Sequence, residues 1–170
     1  MPDIKTIYLI VALVCVVMVY LVQEIYGRRK RRIEADLNRV RQVARDLMPT
    51  TENYVTAYAR TVDPSGQEGR CAISFKPVEA YVIPIRYVDG EMEHGEMMFF
   101  EPDELGKVEV EEGKVAFYDL VGNFLLSVEV LAEYQRQLPQ EPFQIKQKKE
   151  ANAFLDFLKD LEEETNIVPV

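Results

Sequence analysis

The sequence predicts an α+β protein, with a single N-terminal transmembrane helix and a soluble domain of about seven short antiparallel strands capped by a C-terminal amphipathic helix. Three observations predict this fold class. Ile7 to Val22 contains no charged residue, residues 53–131 carry strand-like segments separated by turn signals, and residues 148–164 carry an apolar stripe of helical period. The strands are expected to form a small barrel or sandwich.

The chain divides into five predicted segments. They are a transmembrane anchor (1–27), a basic juxtamembrane helix or stalk (28–49), a β-rich cytoplasmic domain (50–145), a C-terminal helix that packs on it (146–164) and an apolar tail (165–170).

The anchor prediction depends on a short apolar run. Sixteen residues of helix, Ile7 to Val22, rise about 24 Å, and a span of ~30 Å is reached only if Lys5, Gln23 and Glu24 lie in the headgroup zones. A cleaved signal peptide, a buried globular helix and an interfacial helix are the alternatives. The first is disfavoured because the positive charge follows the run instead of preceding it.

A basic cluster follows the apolar run and predicts the topology. The cluster should contact lipid headgroups and keep its side of the helix in the cytoplasm, with the N-terminus outside the cell membrane. Its members are Arg28, Arg29, Lys30, Arg31 and Arg32. The protein is thus predicted to be integral to the membrane and single-pass.

The stalk carries apolar residues at spacings of four, three, four and three, which is the a/d pattern of a helix-pairing seam. The seam residues are Ile33, Leu37, Val40, Ala44 and Leu47, and Pro49 ends the helix. The seam predicts self-association or pairing with a partner helix, as in a short coiled coil. The alternative is that the stripe packs on the following domain.

The β-rich domain is predicted from alternating segments and turn residues. The expected strands are 54–60, 71–75, 80–88, 96–100, 108–110, 115–120 and 124–131, and Pro84 predicts an edge position or a bulge in the third. Strands followed by one helix resemble the pleckstrin-homology superfold in outline. That resemblance implies a binding module, although the acidic charge departs from the basic pocket of the lipid-binding members.

Reactive groups are few. His94, Cys71 and the loop glycines Gly66 and Gly69 match no metal, nucleophile or phosphate-binding signature, so no catalytic residue, metal site or cofactor is predicted. Cys15 lies within the apolar run and is not expected to pair with Cys71.

Charge is divided unevenly along the chain. Residues 1–49 hold 9 Lys/Arg and 5 Asp/Glu (+4), whereas residues 50–170 hold 11 and 24 (−13). The acidic part disfavours nucleic acid and favours protein partners with a basic surface. A candidate partner surface concentrates adaptable apolar side chains at Met92, Met97, Met98, Phe99 and Phe100, unless these are core residues. The apolar C-terminus 167–170 is a second, weaker candidate.

These features predict a non-enzymatic accessory or scaffold subunit that binds protein partners in a membrane-associated assembly. The alternatives are a cytoplasm-facing sensor of a small ligand, or a regulatory module of that kind, and an enzyme whose chemistry the motifs do not reveal.

Overall fold

The computed structural model describes residues 4–89, 91–135 and 144–166, without the side chains of residues 4–7, 9–12, 29, 32, 33, 135, 165 and 166. A long helix precedes the strands and a shorter one follows them. The elements are α1 (Ile4–Leu47), β1 (Val55–Val62), β2 (Glu68–Lys76), β3 (Glu79–Val88), β4 (Glu91–His94), β5 (Met98–Phe100), a 3₁₀ turn (Pro102–Glu104), β6 (Lys107–Glu111), β7 (Lys114–Tyr118), β8 (Phe124–Glu129), β9 (Glu133–Gln135), β10 (Gln144–Lys146) and α2 (Lys148–Asn166).

Eight strands form one antiparallel sheet in the order β4-β3-β2-β1-β8-β7-β6, and β5 lies beside β3 on the same edge as β4. Strands β9 and β10 form a separate two-stranded ribbon. The sheet consists of two meanders, because β1 is joined to β8 at only three register positions, from Arg60↔Glu129 to Val62↔Ser127.

Turn residues close the hairpins where the sequence predicts them. Glu112 and Gly113 both have positive φ, at 46° and 84°, which suits the two-residue turn between β6 and β7. Gly106 is required for a different reason. A Cβ at this position would lie 2.2 Å from the Asp119 carbonyl oxygen, so only glycine permits the close approach of the two loops.

One face of the sheet packs on α2 and forms the core that we call the α2-side core. Phe75 on β2 contacts Phe154 and Phe157 of α2, with ring centroids 5.4 and 5.2 Å apart. Phe100 on β5 stacks on Phe117 of β7 at 4.5 Å. These two strands are five places apart in the sheet order, so the sheet must curl strongly around this core.

The opposite face packs on the C-terminal third of α1 and on the β9–β10 ribbon, and we call this the α1-side core. Its buried members are Leu37, Val40, Ala44, Met48, Tyr58, Ala72, Ile83, Ile85, Tyr134 and Ile145. Because α1 supplies three of these side chains and Met48 directly follows it, residues 37–48 pack as part of the domain.

The prediction of a membrane anchor is wrong, because no helix of the described residues is long and apolar enough to cross a membrane. The apolar run from Ile7 to Val22 rises about 24 Å as a helix, short of the ~30 Å of a bilayer's hydrocarbon. The sequence prediction reached a spanning length only by including Lys5, Gln23 and Glu24. The predicted single-pass topology, membrane location and orientation fall with it.

The fold is a small α+β domain with a sheet of antiparallel strands. The predicted fold class is corrected in one respect, because it included a transmembrane helix. The main strands share one continuous, curled sheet. Helix α1 passes Gly27 without a break.

Candidate interaction site

The free edge of the sheet next to β3 is formed by two short strands. Among the described strands, β4 and β5 pair with β3 alone, so one side of each backbone has no strand partner. Between them the Gly95 N–H donates to the Pro84 carbonyl oxygen at 2.8 Å. A Cβ on Gly95 would lie 3.2 Å from the Pro84 ring, so the edge is interrupted where the proline lies. This irregularity agrees with the bulge expected at Pro84.

This edge is strongly acidic. The sequence has no Lys or Arg between Arg86 and Lys107, and the ion pairs of the described residues include none of the carboxylates in that interval. All seven are exposed except the half-buried Glu101, and they are Asp89, Glu91, Glu93, Glu96, Glu101, Asp103 and Glu104. We call Asp89 and residues 91–104 the acidic edge. The charge excess predicted for the whole domain is concentrated here.

The predicted Met/Phe surface lies in the same edge, but it is only partly available. Phe100 is buried in the α2-side core, and the half-buried Met98 packs against it there. Met92 and Met97 are half-buried against the α1-side core, and the Phe99 ring lies 4.5 Å from Tyr81. These side chains therefore pack the edge strands against both cores. Met92, Met97, Met98 and Phe99 remain half-exposed on the acidic edge.

A groove runs beside the edge, between β4 and the outer face of α1. It is open, has a volume of about 710 Å³ and is lined by Arg39, Gln42, Val43, Asp46, Glu91 and Met92. Its lining combines the apolar side chains of Met92 and Val43 with four polar or charged ones. The groove lies beside the strand edge, where an extended segment of polypeptide would add to the sheet.

A second charged surface lies on the face of β6–β8 opposite α2. A cavity of about 270 Å³ is lined there by Arg60, Val62, Glu68, Glu111, Glu112, Lys114, Ser127 and Glu129. Two cations compensate half of its four carboxylates, since the Arg60 guanidinium donates to the Glu129 carboxylate and Lys114 is the cross-strand neighbour of Glu129. The acidic edge is thus the surface with the larger unbalanced charge.

Cys71 and His94, the reactive side chains singled out in the sequence, lie apart within the described residues. Cys71 is fully buried in the α2-side core, and burial raises the pKa of its thiol. His94 is the cross-strand partner of Ile85, an α1-side residue, so its side chain lies on the α1 side of the sheet, whereas the Cys71 thiol lies on the α2 side. No group of three or more His, Cys, Asp or Glu residues is arranged to hold a metal ion in the part of the chain that the structure describes.

The loop with Gly66 and Gly69 is held in place by hydrogen bonds to the side chain of Asp63. The Asp63 carboxylate accepts hydrogen bonds from the backbone of Ser65 and Gln67, both at 2.9 Å. The Ser65 hydroxyl also donates to it, and these hydrogen bonds lower the pKa of Asp63. A negative charge at its centre makes this loop a poor site for phosphate.

The helix-pairing seam is occupied within the chain. Leu37, Val40 and Ala44 are buried in the α1-side core and Leu47 is half-buried against it, whereas the side chain of Ile33 lies outside the described residues. Packing on the domain, the alternative stated for this stripe, is what the structure shows. The seam is therefore not available for pairing with a second helix.

The basic cluster lies on an exposed part of α1. Arg28 pairs with Glu24 at 2.9 Å and Lys30 with Glu34 at 3.9 Å, while Arg31 is exposed. The side chains of Arg29 and Arg32 lie outside the described residues, as do residues 167–170 of the tail. The predicted lipid contact of this cluster stays a prediction.

Sequence reasoning missed the acidic edge as a site, although the absence of any Lys or Arg between Arg86 and Lys107 could have indicated it. It also missed Gln147 and the Arg41–Glu150 ion pair of 2.7 Å that joins α1 to the first turn of α2. No protein-family model matches the chain, and no curated protein matches it either, so the outline resemblance to pleckstrin-homology domains has no support from a relative.

Proposed function

We propose that this protein is a non-enzymatic binding module that holds a basic protein segment along its acidic edge. The observation that carries the proposal is the coincidence of seven carboxylates, none of them in an ion pair of the described residues and only Glu93 opposite a cation (Arg86), with a strand edge that pairs on one side only. Each of the two features is common on its own. Together they offer charge attraction and backbone hydrogen bonding to the same ligand.

The physical basis of binding has three parts. An extended segment added to β4 or β5 would gain main-chain hydrogen bonds from the exposed strand edge. Lysine or arginine side chains of that segment would meet Glu91, Glu93 and Glu96, which are all exposed. The half-buried methionines would supply an adaptable apolar contact, since the thioether chain fills irregular gaps.

Acidic strand edges also discourage the wrong association. Short strands and charged side chains protect a sheet edge from pairing with a second copy of itself, because like charges would face each other. A basic partner does not meet this repulsion, because its charges are opposite to those of the edge. The acidic edge therefore selects its partner by charge, in addition to attracting it.

The proposal is tested with two charge-matched variants of the full chain. Glu91→Lys/Glu93→Lys reverses charge within the acidic edge, whereas Glu163→Lys/Glu164→Lys makes the same change on the exposed end of α2. Partners are captured from an extract of the source cells on the unaltered chain. The affinities of the three proteins for a captured partner are then measured by calorimetry at rising salt.

We expect the edge variant to lose at least tenfold in affinity and the α2 variant less than twofold. Binding by the unaltered chain should weaken as salt rises, because exposed charges are screened over about 8 Å at physiological ionic strength. Equal losses in the two variants, binding that does not depend on salt, or no captured protein would contradict the proposal.

A further inference from the structure

Strand β4 of the acidic edge presents two chemically different faces. Met92 is the cross-strand partner of Tyr87, and both are half-buried against the α1-side core. Glu91 and Glu93 flank Met92 along the strand, so their side chains project from the opposite face. Both carboxylates are exposed, and only Glu93 has a cation, Arg86, as its cross-strand partner. One face of β4 is therefore acidic, whereas the other is apolar at Met92.

The groove beside β4 brings α1 next to the Met92 face of this strand. Helix α1 contributes Arg39, Gln42, Val43 and Asp46 to the lining, at spacings that place all four on one face of the helix. Arg39 and Asp46 carry opposite charges, so this wall of the groove has no net charge. Val43 is half-buried against the α1-side core, as Met92 is. The groove therefore offers apolar contact at Val43 and Met92, and its α1 wall has no net charge that would attract a cation.

A strand added to the free edge of β4 would present its side chains to both environments. Successive side chains of a strand point to opposite faces, and each lies beside a neighbour on the same face of the adjacent strand. Every second residue of the segment therefore meets Glu91 and Glu93. The residues between them enter the groove beside Met92 and Val43. The two environments favour different residue types in the two sets.

We propose that the segment bound by the acidic edge alternates basic and apolar residues, with its basic side chains toward Glu91 and Glu93 and its apolar side chains in the groove. This inference rests on the proposed function, because it specifies the sequence pattern of the segment that the edge binds. The length of the pattern follows from β4. This strand has four residues and the edge is interrupted at Gly95, so the paired part of the segment holds about two residues of each kind.

The alternation gives a selectivity that charge alone does not give. A uniformly basic segment would also be attracted by the carboxylates of the acidic edge, but half of its cations would enter the groove. There each cation would be partly removed from water beside Met92 and Val43, and Arg39 offsets the attraction of Asp46. Apolar side chains gain from the same removal of water. The groove therefore disfavours a uniformly basic pattern and favours the alternating one.

Three peptides with equal numbers of lysines test the pattern on the unaltered full chain. The first alternates lysine and valine, the second has the same composition with all lysines before all valines, and the third alternates lysine and serine. Their affinities are measured by calorimetry at one salt concentration. We expect the first peptide to bind at least about tenfold more tightly than either of the others, because only it places every valine in the groove while every lysine faces the carboxylates.

Val43→Gln tests the groove by removing its apolar contact on α1. Val62→Gln is the matched control, because Val62 is also half-buried but lines the other cavity, from β1. We expect Val43→Gln to lose most of the preference for the lysine–valine peptide over the lysine–serine peptide, whereas Val62→Gln should keep it. Met92→Gln removes the contact on the strand side and should have the same effect as Val43→Gln. The thermal unfolding midpoint of each variant shows whether it is folded.

Equal affinities of the unaltered chain for the three peptides would overturn the alternation and leave the acidic edge as a site for basic segments of any pattern. A preference that both Val43→Gln and Met92→Gln retain would overturn the placement of the apolar side chains in the groove. Absence of binding by all three peptides would contradict the proposed function as well. The two proposals can therefore fail in distinguishable ways.

Discussion

The side-chain amide of Gln147 closes the backbone hydrogen bonds of Tyr58. The Tyr58 N–H donates to Gln147 Oε1 at 2.9 Å, and Gln147 Nε2 donates to the Tyr58 carbonyl oxygen at 2.6 Å. The same Nε2 donates to the Leu131 carbonyl oxygen at 2.9 Å. Since β8 pairs with β1 only from Arg60 onward, the buried glutamine stands in for a strand that does not reach Tyr58.

Removing this amide should destabilise the domain. Gln147→Ala leaves buried backbone groups of Tyr58 and Leu131 without their partner, and each such group costs about 1–3 kcal/mol. We expect a loss of about 3 kcal/mol in the free energy of unfolding, measured in urea. Gln67→Ala, at an exposed side chain, is the control and should change it by less than about 0.5 kcal/mol. Equal effects would contradict the bridging role.

The packing of helix α1 on the sheet should contribute substantially to the stability of the domain. Val40 has no exposed surface in the α1-side core, so Val40→Asp would bury a carboxylate without a partner and cost at least about 3 kcal/mol. Gln42→Asp, two residues away on the exposed face, provides the matched control. If the two variants unfold at the same urea concentration, α1 does not pack on the sheet as described.

The ion pair between the two helices should be measurable as a coupling. Arg41 Nη2 lies 2.7 Å from Glu150 Oε1, and the side chains are 35% and 14% exposed. A double-mutant cycle with Arg41→Ala and Glu150→Ala should give a coupling of about 1 kcal/mol, because the pair is partly removed from water. Lys146 pairs with Glu133 at 3.4 Å and is more exposed, so the same cycle there should give a smaller value.

Lowering the pH should reduce the stability of the domain, because the Glu79 carboxylate becomes protonated. Hydrogen bonds from Lys76 and from the Tyr54 hydroxyl, at 3.0 and 2.8 Å, lower the pKa of this carboxyl below its ordinary value of 4.5. A lowered pKa in the folded state stabilises the fold above pH 4.5, and this contribution disappears as the pH falls through the folded-state value.

The measurement compares Glu79→Gln with the unaltered chain at pH 7 and pH 3. The difference in the free energy of unfolding should be larger at pH 7, where the carboxylate is charged. A difference that is the same at both pH values, or larger at pH 3, would contradict the assignment of Glu79 as the titrating group.

Local chemistry explains which elements the sequence predicted well. The turn at Glu112–Gly113 and the apolar stripe with Phe154 and Leu158 place two strands and α2 close to their observed bounds. These signals depend on neighbouring residues alone, so they can be read without knowing the fold.

Longer-range features were not predicted, for identifiable physical reasons. The spacing of Leu37, Val40 and Ala44 is the same whether the stripe pairs with a second helix or packs on a sheet, so only the fold distinguishes them. Gln147 carries no local sign that Tyr58, 89 residues earlier, needs its amide. The anchor prediction failed because an apolar run was extended past charged residues to reach a spanning length.

The central claim is that a basic segment binds along the acidic edge, and hydrogen exchange of the full chain tests it most directly. The chain is measured alone and saturated with a lysine- and arginine-rich peptide. We predict slower exchange of backbone amides in residues 91–100, with little change in β7, which lies on the other side of the sheet order. Protection confined to β7 and β8, or no protection at residues 91–100, would contradict the claim.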